Sequence, residues 1–207
     1  MSLVEAMETQ RAMRRLLPDP VDDDIILRAI ELATKAPTGS NRQGWEFVVV
    51  RDPEVKHQLA RLNRQAWSVY RRLGKRHARD DAARKIVDAV QWQADHFEEV
   101  PVVIVACLHG RAPVLGPPVL ASSWYGSAYP AVQNLLLAAR AVGLGATLTT
   151  LPLWSVMLAR RTLGLPSGVT PVAVVPVGWP QGRYGPTTRK PVADVVHLDR
   201  YGNRPFQ

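Results

Sequence analysis

The residues best suited to chemistry lie in one ten-residue run, APTGSNRQGW (residues 36–45). Pro37 ends the preceding helical pattern, and the run leads directly into an apolar stretch that is typical of a strand. Asn41 and Gln43 offer amide donors and acceptors, and Trp45 adds an aromatic wall. Such a loop can present hydrogen-bonding groups to a flat polar ring. The alternative is that these amides only stabilise the turn.

Basic residues lie in three places in the sequence. Two short basic segments lie near the ends, at residues 11–15 and 183–190. Between residues 61 and 85, nine Lys and Arg stand against Asp80 and Asp81, so this segment holds +7 of the net charge of +8. The charge therefore belongs to one helical segment, which is either a solvated helix face or a surface that attracts a dinucleotide phosphate or a nucleic acid.

Established catalytic motifs do not occur in this sequence. The run GLGATL (residues 143–148) has leucine at the third glycine position and follows a helix, which excludes a dinucleotide-binding fingerprint. Ser127 lacks the nucleophile-elbow context, and the five histidines are isolated, so no metal site is expected. If the protein is an enzyme, a cofactor therefore carries the chemistry.

Composition predicts one globular domain over residues 1–207. The hydrophobic fraction is 46% and the charged fraction 21%, which is ordinary for a folded protein. Cys107 is the single cysteine, which excludes an internal disulfide and predicts that the protein resides in a reducing compartment. No signal-peptide pattern and no apolar run of membrane-spanning length occur, and we expect a cytoplasmic protein that does not enter a membrane.

Hydrophobic periodicity predicts alternating helices and short strands. Helices are expected over residues 3–15, from Val21 to Pro37, from Pro53 to about Glu99 with a break near Gly74, and from Pro130 to Val142. Strands are expected at 46–51, where burial is also expected, at 101–108 and at 172–178, with an edge strand at 192–198 and a loop over 110–123. The aromatic residues of the segment 61–99 are either core or the lining of a pocket.

Three segments together resemble the FMN-dependent nitroreductase family. The run QRAMRRLLPDPV (residues 10–21) is similar to the family's R-R-S-x-R-x-F…P-V opening, and residues 36–45 are similar to its A-P-S-x-x-N-x-Q-P-W. The third segment begins with QNLLLAARAVGLG (133–145) and continues through VGWP (177–180) to TRKP (188–191). These motifs occur in the family's order.

The resemblance implies an α+β fold, in which a central, mostly antiparallel sheet is flanked by helices. It implies a homodimer with two FMN sites at the interface, in which each C-terminal arm (residues 183–207) embraces the partner. It further implies a ping-pong oxidoreductase that takes a hydride from NAD(P)H and reduces a small electron acceptor of the nitroaromatic or quinone type. The segment 61–99 is a helical insertion at the place where substrate specificity varies in the family.

The resemblance also implies roles for individual residues. Arginines at the two ends of the chain are expected at the FMN phosphate, the loop amides at the ring, and a later backbone segment at the hydride-accepting nitrogen. The positions for the phosphate are Arg11, Ala12, Arg14 and Arg189; those for the ring are Asn41 and Gln43; those for the partner's flavin are Pro37, Thr38 and Gly39; and the backbone segment is Leu148, Thr149 and Thr150. Thr149 and Thr150 are also candidates for tuning the flavin.

The chain departs from the family's motifs at three positions. Gln10 and Ala12 replace an arginine and a serine, so the first phosphate cluster is thinner, and Gly44 replaces a proline. Three alternatives stay open. One is a branch of the family that uses a deazaflavin, and another is a branch that dehydrogenates a different substrate. The third is a non-enzymatic protein that binds flavin or nucleic acid, of which nucleic acid is the less favoured ligand.

Overall fold

A computed structural model of the chain describes residues 1–74 and 80–206. The helices are α1 (Leu3–Thr9), α2 (Asp23–Ala33), α3 (Pro53–Gly74), α4 (Asp81–Asp95), α5 (Pro118–Gly126), α6 (Tyr129–Ala141) and α7 (Val156–Thr162). The strands are β1 (Trp45–Val50), β2 (Val102–His109), β3 (Gly145–Ala146) and β4 (Val169–Gly178). Short 3-10 turns cover Gly39–Asn41, Phe97–Glu99, Leu151–Leu153 and Val192–Asp194.

The four strands form one sheet in the order β1-β2-β4-β3, and every neighbouring pair is antiparallel. In the centre, Ile104 of β2 is paired with Val49 on one side and with Val175 on the other. A register shift follows Ala106. The expected α+β fold, with an antiparallel sheet flanked by helices, is confirmed.

Both faces of the sheet are covered, because alternate residues of β2 belong to two different cores. Ile104 and Ala106 pack with α2 and α6 on one face, whereas Val103 and Val105 pack with α3 and Phe97 on the other. A strand that is buried on both faces needs apolar side chains at successive positions, which explains the unbroken apolar run of β2. Burial of a side chain such as Phe97 contributes about 1.5–3 kcal/mol.

The strand after the 36–45 loop was expected to be buried, and this expectation is wrong. β1 lies at the edge of the sheet, and of its six residues only Val50 is buried. A short β-branched sequence is compatible with an edge strand as well as with a central one, although an edge strand needs fewer apolar contacts. The sequence pattern therefore predicted the strand correctly, but it did not predict the position of the strand at the edge of the sheet.

The N-terminal helix is shorter than expected. α1 ends at Thr9, and residues 10–17 are extended instead of helical to residue 15. The N–H of Met13 donates to Ala146 O at 3.1 Å, and that of Leu17 donates to Trp179 O at 2.7 Å. These pairings with distant segments override the helical pattern of the local sequence.

Two further expectations are corrected. The expected loop 110–123 contains the start of α5 at Pro118, where proline at the first helical position is compatible with a helix. The expected edge strand at 192–198 is absent from the described part of the arm, which forms a 3-10 turn at Val192–Asp194. Val192 and Val195 are exposed, so the apolar pattern there does not mark contact with the chain's own sheet.

The boundaries of the remaining helices follow their capping residues. Asp52 Oδ1 accepts the N–H of Val55 at 2.9 Å, which caps α3 as its Asp-Pro start predicts. Gly143 ends α6 with a φ of 87°, which only glycine adopts readily, although Val142 is half exposed instead of buried. α3 and α4 confirm the helical segment on either side of Gly74; its basic residues Lys75, Arg76 and Arg79 lie outside the described residues.

Candidate functional site

The N-terminal basic segment is held in an extended conformation against the end of the sheet. Leu16 pairs with Pro180, and Arg15 O accepts the N–H of Gln181 at 3.1 Å. Arg11 is exposed, whereas Arg14 is half-buried, and burial lowers the pKa of the Arg14 guanidinium. Within the described residues, Arg14 forms no salt bridge with a carboxylate. A half-buried guanidinium of this kind is suited to an anionic ligand.

The C-terminal arm, which carries Arg189, packs against two other parts of its own chain. The N–H of Thr187 donates to Glu8 O at 2.9 Å, which places the arm beside the end of α1. Tyr184 anchors the arm, because its hydroxyl donates to Leu144 O at 2.6 Å and Arg140 lies 4.0 Å from its ring centroid. Arg189 itself is exposed and donates to the neighbouring carbonyl of Thr188. Its side chain is therefore available to a ligand.

Backbone direction separates the three residues at 148–150. Thr149 exchanges two hydrogen bonds of 2.9 Å with Val174 of β4, so both its N–H and its C=O are used by the sheet. Successive backbone groups of an extended segment point to opposite sides. Leu148 and Thr150 therefore direct their N–H groups away from β4, toward the side on which Ala146 O accepts from Met13. The amides open to a ligand belong to Leu148 and Thr150.

The basic segment packs closely against β3, the strand that directly precedes these amides. A Cβ atom at Gly145 would lie 2.6 Å from Leu16 Cδ2 and 3.1 Å from Met13 Cβ. Only a residue without a side chain permits this contact between β3 and residues 13–16. The predicted phosphate residues and the predicted flavin amides are thereby brought to one edge of the sheet.

The loop over residues 37–43 is fixed in an unusual backbone conformation. Ser40, Asn41 and Gln43 all have positive φ, between 47° and 53°. Such left-handed conformations cost about 1–2 kcal/mol for residues other than glycine and tend to occur at functional sites. The loop is held by Thr38, whose hydroxyl accepts Gln43 N–H at 3.1 Å, and by Gly39, whose N–H donates to Ser127 Oγ at 3.2 Å.

The loop amides are exposed and partly satisfy each other. Gln43 Nε2 donates to Asn41 Oδ1 at 3.2 Å, as the turn-stabilising alternative expects. Asn41 Nδ2 and Gln43 Oε1 form no hydrogen bond within the described part of the chain, so each amide keeps one group for a ligand. The two interpretations of these amides are therefore compatible with each other.

Two clefts lie on different sides of α5. The aromatic cleft, of about 580 Å³, is lined by Ala66, Val69, Tyr70, Tyr125, Tyr129, Thr150, Leu151, Leu153, Trp154, Val156, Pro171 and Val172. The loop cleft, of about 670 Å³, is lined by Thr38, Gly39, Ser40, Arg42, Gly44, Leu108, His109, Gly110, Pro113, Leu120, Ser123, Trp124 and Ser127. Thr150 therefore belongs to the first cleft, and Thr38 and Gly39 to the second.

The predicted site residues thus form two groups in one chain. Arg11, Ala12 and Arg14 lie with Leu148–Thr150 and the start of the arm, whereas Pro37–Gln43 pack against α5. This separation is compatible with the expectation that residues 37–39 contact the flavin of a partner subunit. The individual roles of these residues stay predictions.

Sequence reasoning missed most of the aromatic cleft. Tyr70 belonged to the aromatics that were expected in the core or in a pocket, but Tyr125, Tyr129 and Trp154 had no assigned role. They come from three separate parts of the chain, and no local spacing connects them. The short apolar run LPLW (residues 151–154), directly after the predicted flavin segment, was the available signal in the sequence.

The donor set fits an FMN molecule on three observations. A half-buried arginine without a carboxylate partner in the described structure suits a phosphate, free backbone N–H groups lie on the same edge, and loop amides remain for the ring. Within the described ranges, no group of three or more His, Cys, Asp or Glu side chains is placed to hold a metal. None of the described helices is long and apolar enough to cross a membrane.

Comparison with known proteins identifies the class. The model of the nitroreductase family matches residues 7–179, and the chain therefore belongs to the nitroreductase family. This result confirms the resemblance found in the sequence.

Individual relatives fall into two kinds. Iodotyrosine deiodinase 1 of Rattus norvegicus is 30% identical over 197 residues, covering 93% of this chain and 67% of that protein. The mouse protein of the same name is covered over 61% of its length, so this chain spans about two thirds of such relatives. A putative NADH dehydrogenase/NAD(P)H nitroreductase of Methanothermobacter thermautotrophicus is 26% identical, covering 97% of this chain and 88% of that protein.

A solved structure supports the fold. Oxidized iodotyrosine deiodinase bound to FMN and 3-iodo-L-tyrosine superposes with a TM-score of 0.72, and the match covers 98% of this chain and all of that chain. Sequence identity in that match is 22%, so the likeness concerns the fold alone.

Proposed function

We propose that the protein is an FMN-dependent oxidoreductase that accepts a hydride from NAD(P)H and reduces a nitroaromatic or quinone acceptor. Bound FMN would supply the two-electron chemistry, because the sequence contains none of the nucleophile, dinucleotide-binding or metal motifs considered above. Membership of the nitroreductase family and the Methanothermobacter relative support this proposal. The FMN in the solved deiodinase structure supports the choice of cofactor.

One observation carries the proposal. The half-buried Arg14 and the free amides of Leu148 and Thr150 lie on the same edge of the sheet, which gives an anion site beside a row of donors. In this arrangement Arg11, Arg14 and Arg189 would hold the FMN phosphate, and the Thr150 amide would donate a hydrogen bond to the ring. Such fixed donors would also stabilise negative charge on the ring.

We propose that the protein forms a homodimer. Residues 37–39 lie against the end of α5, where Gly39 N–H donates to Ser127 Oγ, and would contact the flavin of a second copy. The arm offers an apolar surface for this contact, with exposed side chains at Val192, Val195, Leu198, Tyr201 and Phe206. We propose that residues 1–207 form one domain and that the C-terminal arm embraces the partner subunit.

A second candidate follows from the deiodinase relatives. Their identity to this chain extends over 93% of its length, so reductive removal of a halogen from an aromatic substrate is the alternative activity. In that reaction, two electrons and one proton replace the carbon–iodine bond by a carbon–hydrogen bond and release iodide. The same cofactor site would serve both reactions.

An absorption spectrum of the purified protein, with and without added FMN, tests the proposal. Flavin bands that NADH or NADPH bleaches and a quinone restores are the expected result. The variant Arg14→Ala should weaken FMN binding by about tenfold or more, since a charge-assisted phosphate contact is lost. Arg28→Ala, which removes a surface ion pair with Glu31, is the matched control and should bind FMN normally.

Three results would contradict parts of the proposal. A protein that takes up no FMN would exclude the cofactor, and equal FMN affinity of the two arginine variants would exclude the phosphate site at Arg14. Bound flavin that a quinone or nitroaromatic fails to reoxidise would leave the cofactor site and reject the acceptor class.

A further inference from the structure

Arg140 lies in the last turn of α6 and contacts two segments that are distant in the sequence. Its Nε donates to Thr9 Oγ1 at the end of α1 at 2.9 Å, and its guanidinium carbon lies 4.0 Å from the centroid of the Tyr184 ring in the arm. The Thr9 hydroxyl donates in turn to Glu5 O at 2.6 Å. The half-buried Arg140 side chain is thereby held at one edge and on one face of its guanidinium.

The guanidinium of Arg140 keeps most of its hydrogen-bond donors. Arginine has five N–H donors, of which the contact with Thr9 uses one. Within the described parts of the chain, Nη1 and Nη2 of Arg140 form no hydrogen bond, and the side chain forms no salt bridge with a carboxylate. Burial raises the pKa of the Tyr184 hydroxyl to about 12, so the ring beside Arg140 is neutral at physiological pH. A half-buried arginine with a free bidentate edge is suited to a phosphate.

Two further arginines lie close to the same end of α1 along the chain. Arg11 lies two residues beyond the last residue of α1, and Arg189 follows Thr187 by two residues. The N–H of Thr187 donates to Glu8 O at 2.9 Å, which holds the arm against α1. Two residues of chain span at most about 7 Å. The backbones of Arg11 and Arg189 therefore both lie near the contact of Arg140 with α1.

The N-terminal segment itself offers little positive charge at this place. Gln10 and Ala12 stand where the family motif has an arginine and a serine. Gln10 directly follows Thr9, the residue that Arg140 contacts. A phosphate group carries about −1.5 to −2 charges at neutral pH, and an amide side chain offers no charge to match it. A cation from α6 at this place would supply the charge that the segment lacks.

We propose that Arg140 is a further ligand of the FMN phosphate and replaces the positive charge that is missing at Gln10. Its Nη1 and Nη2 groups would donate to phosphate oxygens, while Thr9 and Tyr184 hold the guanidinium in place. The inference rests on the proposed function, because it assigns a residue to the phosphate of the proposed cofactor. The role of Arg140 is to bind the cofactor, and the chemistry stays with the flavin ring.

A purely structural role for Arg140 leads to a different expectation. A cation in the last turn of a helix interacts favourably with the helix dipole, and the contact with Tyr184 helps to hold the arm. Both effects stabilise the fold, so their loss would change the affinity for every flavin alike. The loss of a phosphate ligand would weaken the binding of FMN and leave that of riboflavin, which lacks the phosphate, unchanged. The ratio of the two affinities therefore separates the two roles.

The experiment measures the dissociation constants of FMN and riboflavin by fluorescence titration. Arg140→Gln should weaken FMN binding about tenfold or more and leave riboflavin binding unchanged. Arg140→Lys retains the charge but not the bidentate edge and should weaken FMN binding less. Gln10→Arg in the Arg140→Gln background should restore most of the lost FMN affinity. Arg28→Gln, at an exposed ion pair with Glu31, is the control and should bind both flavins as the wild type does.

The outcomes separate this inference from the proposed function. If the wild-type protein binds neither flavin, the proposed function fails and the inference fails with it. If FMN binds, an equal loss of affinity for both flavins in Arg140→Gln, or no loss for FMN, overturns the inference while the cofactor site stands. Should Arg140→Gln fail to fold, Arg140→Lys decides, since only a phosphate ligand predicts a loss that is confined to FMN. A Gln10→Arg rescue that restores no FMN affinity, at an unfolding midpoint equal to that of the wild type, would contradict the replacement of charge.

Discussion

The guanidinium carbon of Arg15 lies 5.7 Å from the centroid of the Trp92 ring, and Trp92 in turn stacks on His96 at 4.2 Å. This contact joins the N-terminal basic segment to the end of α4. Arg14, the half-buried neighbour of Arg15, belongs to the same segment. The α4 helix thus supports the residue that we assign to the cofactor phosphate.

The first prediction concerns this support. Trp92→Ala should weaken FMN binding by about fivefold, because a cation–π contact contributes about 0.5–1 kcal/mol and holds the segment in place. Riboflavin, which lacks the phosphate, should bind equally to the variant and the wild type. Fluorescence titration with both flavins measures the difference. Trp92→Phe is the matched control, and an equal loss for both flavins would mean that Trp92 has a general structural role.

The second prediction concerns Gly145. Gly145→Ala should lower the free energy of unfolding by about 1–3 kcal/mol, since its methyl group would overlap Leu16 and crowd Met13. Urea denaturation measures the change. Gly126→Ala is the control, because no atom lies within 4 Å of a Cβ built there, and its stability should be unchanged or slightly higher. Equal stability of the two variants would contradict close packing between β3 and residues 13–16.

The third prediction concerns stability at alkaline pH. Burial raises the pKa of the Cys107 thiol to about 12 and that of the Tyr184 hydroxyl to about 12. The unfolded chain therefore loses these protons at lower pH than the folded chain does, from about pH 9 for the thiol. Since the folded state then binds more protons, its stability falls as pH rises from about 9 to 12, and neither group contributes a pH dependence below that range.

Denaturation at pH 7, 9 and 10.5 checks this dependence. Cys107→Ala should reduce the loss of stability between pH 9 and 10.5, although the cavity lowers its stability at every pH. A thiol reagent at pH 8 should label Cys107 only after unfolding, because the folded thiol is buried and protonated. Rapid labelling of the folded protein would contradict the assignment.

The fourth prediction concerns the loop at residues 37–43. Ser127→Ala removes the hydroxyl that accepts Gly39 N–H and should cost about 0.5–1.5 kcal/mol. Hydrogen exchange at Gly39 should become faster. Ser123→Ala is the control, because the contact of Ser123 with Ser127 uses its backbone carbonyl, which the substitution retains. Unchanged exchange at Gly39 in the Ser127 variant would mean that other contacts hold the loop.

Local sequence was sufficient to predict the strands that are almost completely buried. The unbroken apolar runs of β2 and β4 can occur in few other places than the centre of a sheet, and both strands were predicted. The Asp52-Pro53 start of α3 and the Gly143 end of α6 depend on residues within one turn, so they were also predictable. The family motifs supplied the topology that connects these elements.

Other features depend on partners that are distant in the sequence. Residues 10–15 retain a helical pattern, but hydrogen bonds to Ala146 and Gln181 hold them extended. The edge position of β1 follows from the absence of a second neighbouring strand in the described sheet, which its own six residues do not encode. The aromatic cleft combines side chains from α3, α5, α6 and the segment after β3, so no single stretch of sequence indicates it.

The position of α5 between the two clefts has a genetic consequence in the proposed homodimer. Each complete site would take Arg14 from one subunit and Thr38 from the other, so a substitution at Arg14 and one at Thr38 affect the two subunit contributions to a site. A mixed dimer of an Arg14 variant and a Thr38 variant would combine both defects in one site and leave the other site intact. Exchange of subunits between two impaired proteins would thus restore one unimpaired site in each mixed dimer.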